Sequence, residues 1–239
     1  MPNGTQLPPT SAEGMTERAP SPAWASLFRV FTSPRSVFEA LASKPRFWLP
    51  LIFLLVVHMG VGYWIASSGV TRDATIAQLE EKDAPPEQIE ATERMMDSPL
   101  MVGFGTLGAG LGIAFAVLLG SALLFFMANL MLGAKLAFSH YLCAAAYGGV
   151  VGLVDTFVRS ALMVSQQTIH VRLGLGALFG GATGYPIAFL DTLTNPLFLW
   201  SAAIEAVAVS VFARKGFGFG ALAAIPGVVV GAAFAGIGG

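Results

Sequence analysis

"FWLPLIFLLVVHMGVGYWIAS", residues 47–67, contains no Asp, Glu, Lys or Arg. About 20 apolar residues wound as a helix cross the hydrocarbon core of a bilayer. Trp48 stands at one end of the run and Tyr63-Trp64 at the other, and such amphipathic rings favour the two membrane interfaces. A secretory signal reads differently. Here the preceding region is over 40 residues long, and the apolar run exceeds the roughly 7–15 residues of a signal core. The stretch is therefore an uncleaved first membrane span.

The totals agree. The chain is 55% hydrophobic and 11% charged, against about 25% charged residues in soluble domains. Mean hydropathy is +0.70. A net charge of −1 gives no global field for nucleic acid, and none is expected as a partner. The lone Cys143 excludes an intramolecular disulfide and a multi-cysteine metal site. The 28 glycines are spread through apolar runs, which suits close helix packing in lipid.

Upstream of the first span, residues 1–21 are polar and rich in Pro, Ser and Thr, and read as a disordered cytosolic tail. Residues 22–46 are different. Trp24, Leu27, Phe28 and Phe31 fall at helical spacing, and so do Val37, Phe38 and Leu41 after Ser33-Pro34. Two short amphipathic helices are expected at the membrane interface with their apolar faces toward lipid. Pro45 disfavours helix at Lys44. Lys44 and Arg46 then anchor the corner among anionic headgroups, and Trp48 anchors the start of the crossing.

Downstream, residues 70–98 are abruptly polar. Eight acids stand against Arg72, Lys82 and Arg94, and Pro85-Pro86 splits the segment into two short helices. Carboxylates scattered along helices do not converge as a calcium loop requires, so a solvated acidic hairpin is the reading. Further spans are expected at about 104–130, 141–164, 196–213 and 217–237, making five with 47–67. Charge is absent from Leu100 to Gly133, a helix near 50 Å at about 1.5 Å per residue, which must tilt or project. Leu173–Leu190 lacks charge but carries five glycines and Pro186. Counting it as a sixth span splits the Lys and Arg residues six against six, whereas five spans give eight inside against four outside. The positive-inside rule thus favours five spans, a cytoplasmic N-terminus and an external C-terminus. Residues 165–194 become a re-entrant or interfacial loop.

Small residues recur every fourth position in three spans: Gly108, Gly112, Ala116 and Gly120; Ala144, Gly148, Gly152, Thr156 and Ser160; Gly227, Gly231, Ala235 and Gly239. Each set makes one ridge where backbones can approach closely, within an internal bundle or between copies in a homo-oligomer. Four ionisable residues lie in the spans. Asp155 and Arg159, four apart, can pair and neutralise each other near the outer interface. Glu205 sits mid-span with no basic residue within one turn. Alone in lipid it is expected neutral and hydrogen-bonded. His58 of the first span, Arg159 and Asn129 are its candidate partners, and a proton or ion relay through Glu205, His58 and Asp155/Arg159 is the functional alternative. "GFGTLG", residues 103–108, has dinucleotide-motif spacing but follows no strand. Nucleophile-elbow, zinc-protease and phosphate-loop motifs are absent, so no catalytic residue, cofactor or metal is expected.

Four stretches in order, "FTSPRSVFEALASKPRFWLPLIF", "PPEQIEATERMMDSP", "LGAKLAFSHYLCAAAYGG" and "LTNPLFLWSAAIEAVAVSVFARKGFGFGALAAIPGVVVGA", resemble the bacterial branch of the YIP (Ypt/Rab-interacting protein) family, the Yip-one domain. The resemblance covers about Phe28 to Gly236. It implies a five-helix membrane bundle with a cytosolic N-terminus, in a bacterial inner membrane. Eukaryotic members of the family act in ER and Golgi vesicle traffic with Rab GTPases. The Asp-Leu-Tyr-Gly-Pro stretch those members tend to carry is missing ahead of the first span, and the resemblance assigns Glu205 no role. The expectation is an all-α membrane protein of five transmembrane helices preceded by interfacial amphipathic helices. Its expected role is that of a non-catalytic, membrane-organising or partner-binding scaffold, and the alternative is a small transporter or channel component.

Overall fold

A computed structural model describes residues 23–180 and 184–237. The tail expected to be disordered, residues 1–21, lies outside the described residues. In chain order the helices are α1 (Ala25–Thr32), α2 (Pro34–Leu41), α3 (Trp48–Ser67), α4 (Val70–Glu81), α5 (Pro86–Met96), α6 (Pro99–Phe125), α7 (Phe138–Gln166), α8 (Tyr185–Thr194), α9 (Pro196–Phe212) and α10 (Phe217–Ile237). A π-helical turn, Phe126–Met131, extends α6, and a 3₁₀ turn, Leu175–Phe179, precedes α8. No strand occurs among the described residues.

Four helices are long and apolar enough to cross a bilayer: Trp48–Ser67, Pro99–Met131, Phe138–Gln166 and Phe217–Ala235. The candidate for a fifth crossing is a bent pair, α8 and α9, meeting at 55°, which makes five if the pair is counted as one span. The 17 residues of α9 span roughly 25 Å, less than a core of about 30 Å. Asn195-Pro196 causes the break. Proline lacks the N–H that would continue α8 and clashes with its last turn. Asn195 leaves the helix at φ −67° and ψ 116°, and its side-chain oxygen accepts from the Leu197 N–H at 3.0 Å. The ten residues of α8 are too few to make a sixth crossing, which needs about 20. Two spans run longer than expected, 99–131 for 104–130 and 138–166 for 141–164. The Ser98 Oγ accepts from the Met101 N–H at 3.3 Å with Pro99 in the first turn, so α6 starts at its cap rather than at the lipid boundary.

Successive spans alternate in direction, which gives the bundle two ends. One end carries α1, α2 and the turns at 132–137 and 213–216. His140 Nε2 lies 3.1 Å from the Ala42 carbonyl and ties the first of these turns to the end of α2. The other end carries α4, α5 and the 167–180 loop. There Arg72 pairs with Asp73 at 2.9 Å and with Asp97 at 3.0 Å. The hydrogen bonds that it donates to the Asp73 and Asp97 carboxylates hold its guanidinium pKa above the ordinary value. The acidic helices divide at Pro85-Pro86 as expected.

The N-terminal helices depart from their expected placement. Leu27, Val30, Val37 and Phe38 are buried against the bundle instead of facing lipid. The Phe38 ring meets Tyr147 at 5.8 Å and Phe212 at 5.6 Å, both edge-on. The Ser26 and Tyr147 hydroxyls are 2.7 Å apart. Trp24 and Phe28 remain exposed. Amphipathicity fixes which face leaves water but not whether lipid or protein receives it.

The small-residue ridges are only partly packing seams. In α7, Gly148 faces Glu205 and Gly152 faces Ser201 of α9. In α10, Gly231 abuts Phe198 of α9. In α6, however, Gly108, Gly112 and Gly120 have no neighbour within 4 Å of a would-be side chain. The seam with α3 is a different face of that helix. A methyl at Gly62 would stand 2.6 Å from Ala109 Cβ, and one at Gly105 would stand 3.3 Å from Ala66 Cβ. Spacing defines a ridge, while the neighbour's position decides which ridge is used. Gly227 has open space and Gly239 lies outside the described residues.

Candidate functional site

Asn195 and Pro196 start α9 in a fixed register, and two and a half turns later Glu205 faces α7. The contact is close because position 148 is glycine. A methyl there would sit 2.5 Å from Glu205 Cγ and 2.8 Å from Oε1. One turn back, the Ser201 hydroxyl donates to the Gly148 carbonyl at 2.8 Å. Glu205 lines a cavity of about 230 Å³ between α6, α7, α9 and α10, with Val117, Gly149, Phe198 and Val228 among its walls. Among the described residues its carboxyl has no hydrogen-bond or ion-pair partner. No described side-chain polar atom is sealed from space without a partner, so the Glu205 oxygens reach the cavity. A lone carboxyl there can hold a proton or meet a cation.

The expected partners of Glu205 lie elsewhere. His58 is half-buried on α3, and its Nδ1 donates to the Leu54 carbonyl at 3.0 Å. Asn129 is committed to the end of the α6 crossing. Its Nδ2 donates to the Leu136 carbonyl at 2.8 Å, and its Oδ1 accepts from the Leu136 N–H at 3.2 Å and from the Tyr141 hydroxyl at 2.6 Å. Arg159 belongs to a third region. Among the described residues no hydrogen bond or ion pair links Glu205 to His58, Asn129, Asp155 or Arg159.

The third region sits where the α8–α9 bend meets the 171–176 loop. The Asp155 Oδ1 accepts from Asn195 Nδ2 at 2.6 Å and lies 3.6 Å from Arg159 Nη2. The Arg159 Nη1 donates to the Val171 carbonyl at 2.7 Å. The anticipated pair exists, but the shorter bond of each member goes to the bend or the loop. Asp191, 2% exposed, accepts from the Gly174 N–H at 2.7 Å and the Leu173 N–H at 3.3 Å. The Thr194 hydroxyl accepts from the Leu175 N–H at 2.8 Å. Gly174 passes so close to the Asp191 carbonyl that a methyl would overlap it. These groups border a cavity of about 350 Å³ whose charged lining is balanced, Asp155 and Asp191 against Arg159 and Arg172. Among the described residues no group of three or more His, Cys, Asp or Glu could hold a metal ion.

A family model of the Yip1 domain matches residues 28–238. The chain belongs to the Yip1 domain family. No curated protein and no solved structure matches it. The match covers every helix of this Yip1-domain protein except the first turn of α1, and several apolar helices make it a multi-pass integral membrane protein.

At the opposite end of the Yip1 domain, the corner expected at Lys44, Arg46 and Trp48 lies between α2 and α3 with all three side chains exposed. The Phe47 and Trp48 ring centroids lie 4.6 Å apart there, with the rings tilted by 36°. Sequence reasoning missed Asp191 as a clamp and Asn129 as a span terminator. "FLDTLTNP", residues 189–196, did carry a signal, since Asp, Thr and Asn beside a proline are the residues that cap and tie turns.

Proposed function

We propose that this Yip1-domain protein is a non-catalytic membrane scaffold whose α1–α2 cap is its partner-binding element, with that end of the bundle in the cytoplasm of a bacterial cell. The observation that carries this reading is the division of labour within the cap. Leu27, Val30, Val37 and Phe38 fix it to the ends of the spans, while Trp24 and Phe28 point away, both about 60% exposed. Rigidly presented aromatic rings are the usual anchors of an interface. The resemblance to vesicle-traffic proteins favours the same role. The charge distribution favours the orientation. Among the described residues Arg29, Arg35, Lys44, Arg46, Lys135, Arg214 and Lys215 gather at the cap end with Glu39 as its acid, and the acidic hairpin is at the other.

The test is purification in mild detergent with mass spectrometry of what accompanies the chain. A specific partner should be recovered with the wild type and lost from Trp24→Ala/Phe28→Ala, whose thermal midpoint should be unchanged. Recovery that ignores this substitution would refute the reading. A transport role through Glu205 is the second reading, favoured by the partnerless carboxyl facing a cavity. It requires Glu205→Gln to change proton or cation flux in reconstituted vesicles, and unchanged flux removes it.

A further inference from the structure

Four membrane helices leave a cavity of about 230 Å³ between them at mid-crossing, and each lends it one face. Ala116 and Gly120 come from α6, Ala145 and Gly149 from α7, and Gly227 and Gly231 from α10. A side chain added at Gly120 or Gly227 would meet nothing within 4 Å, so these small residues keep space open instead of closing a seam. From α9 comes Glu205, midway along its 17 residues. Among the described residues it is the one ionisable group in the lining. The Ser201 hydroxyl, the other polar side chain there, gives its hydrogen to the Gly148 carbonyl at 2.8 Å. The Glu205 carboxyl, with no hydrogen-bond or ion-pair partner among the described residues, keeps its oxygens open to the cavity.

That combination selects a chemistry. A carboxylate among apolar groups is costly until an opposite charge pairs with it. A hard metal cation takes about six oxygen ligands, and among the described residues this lining offers one carboxyl. An alkylammonium needs one acceptor for its charge and apolar walls for its body. An apolar cavity of about 150 Å³ takes up benzene. The cavity of about 230 Å³ here therefore suits a ring bearing an aminomethyl group, roughly eight or nine non-hydrogen atoms.

We propose that this cavity binds a compact hydrophobic amine, with its ammonium on the Glu205 carboxylate and its ring against the small-residue walls. An ammonium that meets the carboxylate and a neutral amine that takes the proton of the carboxyl give the same ion pair. Binding rests on the same partnerless carboxyl as the transport reading but requires no flux, so it can hold where that reading fails. It is independent of the scaffold role.

The test uses the full chain purified in a neutral detergent and titrated with cyclohexylmethylamine or its neutral isostere cyclohexylmethanol, with binding read by calorimetry and thermal stabilisation. The amine should bind about tenfold tighter than the alcohol, since a charge-assisted hydrogen bond exceeds a neutral one. Glu205→Gln should weaken the amine about tenfold and leave the alcohol within about twofold. Gly227→Leu, which fills the cavity, should weaken both ligands. Glu80→Gln/Glu81→Gln, on the acidic hairpin, should weaken neither. No preference for the amine in the wild type would overturn the proposal before any variant is made. A preference that survives Glu205→Gln, or falls as far in the hairpin variant, would place the amine elsewhere and refute the site. Equal loss of amine and alcohol in Glu205→Gln would overturn the ion pair, and undiminished binding in Gly227→Leu would overturn the cavity. The carboxyl gives up no partner in Glu205→Gln, so the fold should persist; if it does not, the wild-type comparison and Gly227→Leu decide. Flux through the same variant is a separate measurement and decides the transport reading alone.

Discussion

Removing the Asp191 side chain should untie the 171–176 loop from the α8–α9 bend. In Asp191→Ala the Gly174 and Leu173 N–H groups lose acceptors at 2.7 and 3.3 Å. A hydrogen bond to a charged group contributes about 1.5–3 kcal/mol. The shorter bond carries most of that, the longer one less, giving about 3–4 kcal/mol. The cavity of about 350 Å³ alongside lets water reach the freed donors, which lowers the net loss to about 2–3 kcal/mol. For a chain of this size 1 kcal/mol moves the midpoint by about 2–4 °C, so Asp191→Ala should melt roughly 4–12 °C lower. The assay is thermal unfolding of purified protein in a fixed detergent, followed by circular dichroism. Asp191→Asn keeps one acceptor for Gly174 and should lose about half as much. If Asp191→Ala melts within a degree of wild type, or if Asn costs as much as Ala, the clamp is not what holds this loop.

Other substitutions separate packing from spacing. Gly148→Ala drives a methyl against Glu205 and should cost about 1–3 kcal/mol, whereas Gly112→Ala, on the same small-residue pattern but in open space, should be neutral or stabilise by up to about 1 kcal/mol; paired midpoints decide. Combining Gly148→Ala with Glu205→Ala should recover most of the loss, and simple additivity would argue against the contact. Asn129→Ala removes three hydrogen bonds that end the α6 crossing and should destabilise by about 2–3 kcal/mol, while Tyr141→Phe, losing one, should cost about 1. A reporter fused after residue 239 should lie outside the cytoplasm, and a cytoplasmic signal would require an even number of crossings.

The sequence by itself determined that this chain lives in a membrane, because charge-free runs of bilayer length have no other solvent. It also determined where several helices break, since Pro45, Pro85-Pro86 and Asn195-Pro196 each fall at a break between two helices, whereas Pro226 is carried inside α10. The family was legible for the same reason, as the order of these local devices survives without any contact map. Tertiary structure alone decided what each amphipathic or small-residue face touches. Val37 and Phe38 could as well have met lipid as Tyr147 and Phe212, and Gly108 and Gly112 could have formed the α3 seam that Gly105 and Ala109 form with Gly62. It also gave His58, Asn129 and Arg159 hydrogen-bond partners other than Glu205, and joined Asp191 to Gly174 across 17 residues. Periodicity along one helix fixes angles about that helix's own axis. Which neighbour lies in that direction depends on the packing of all the helices together.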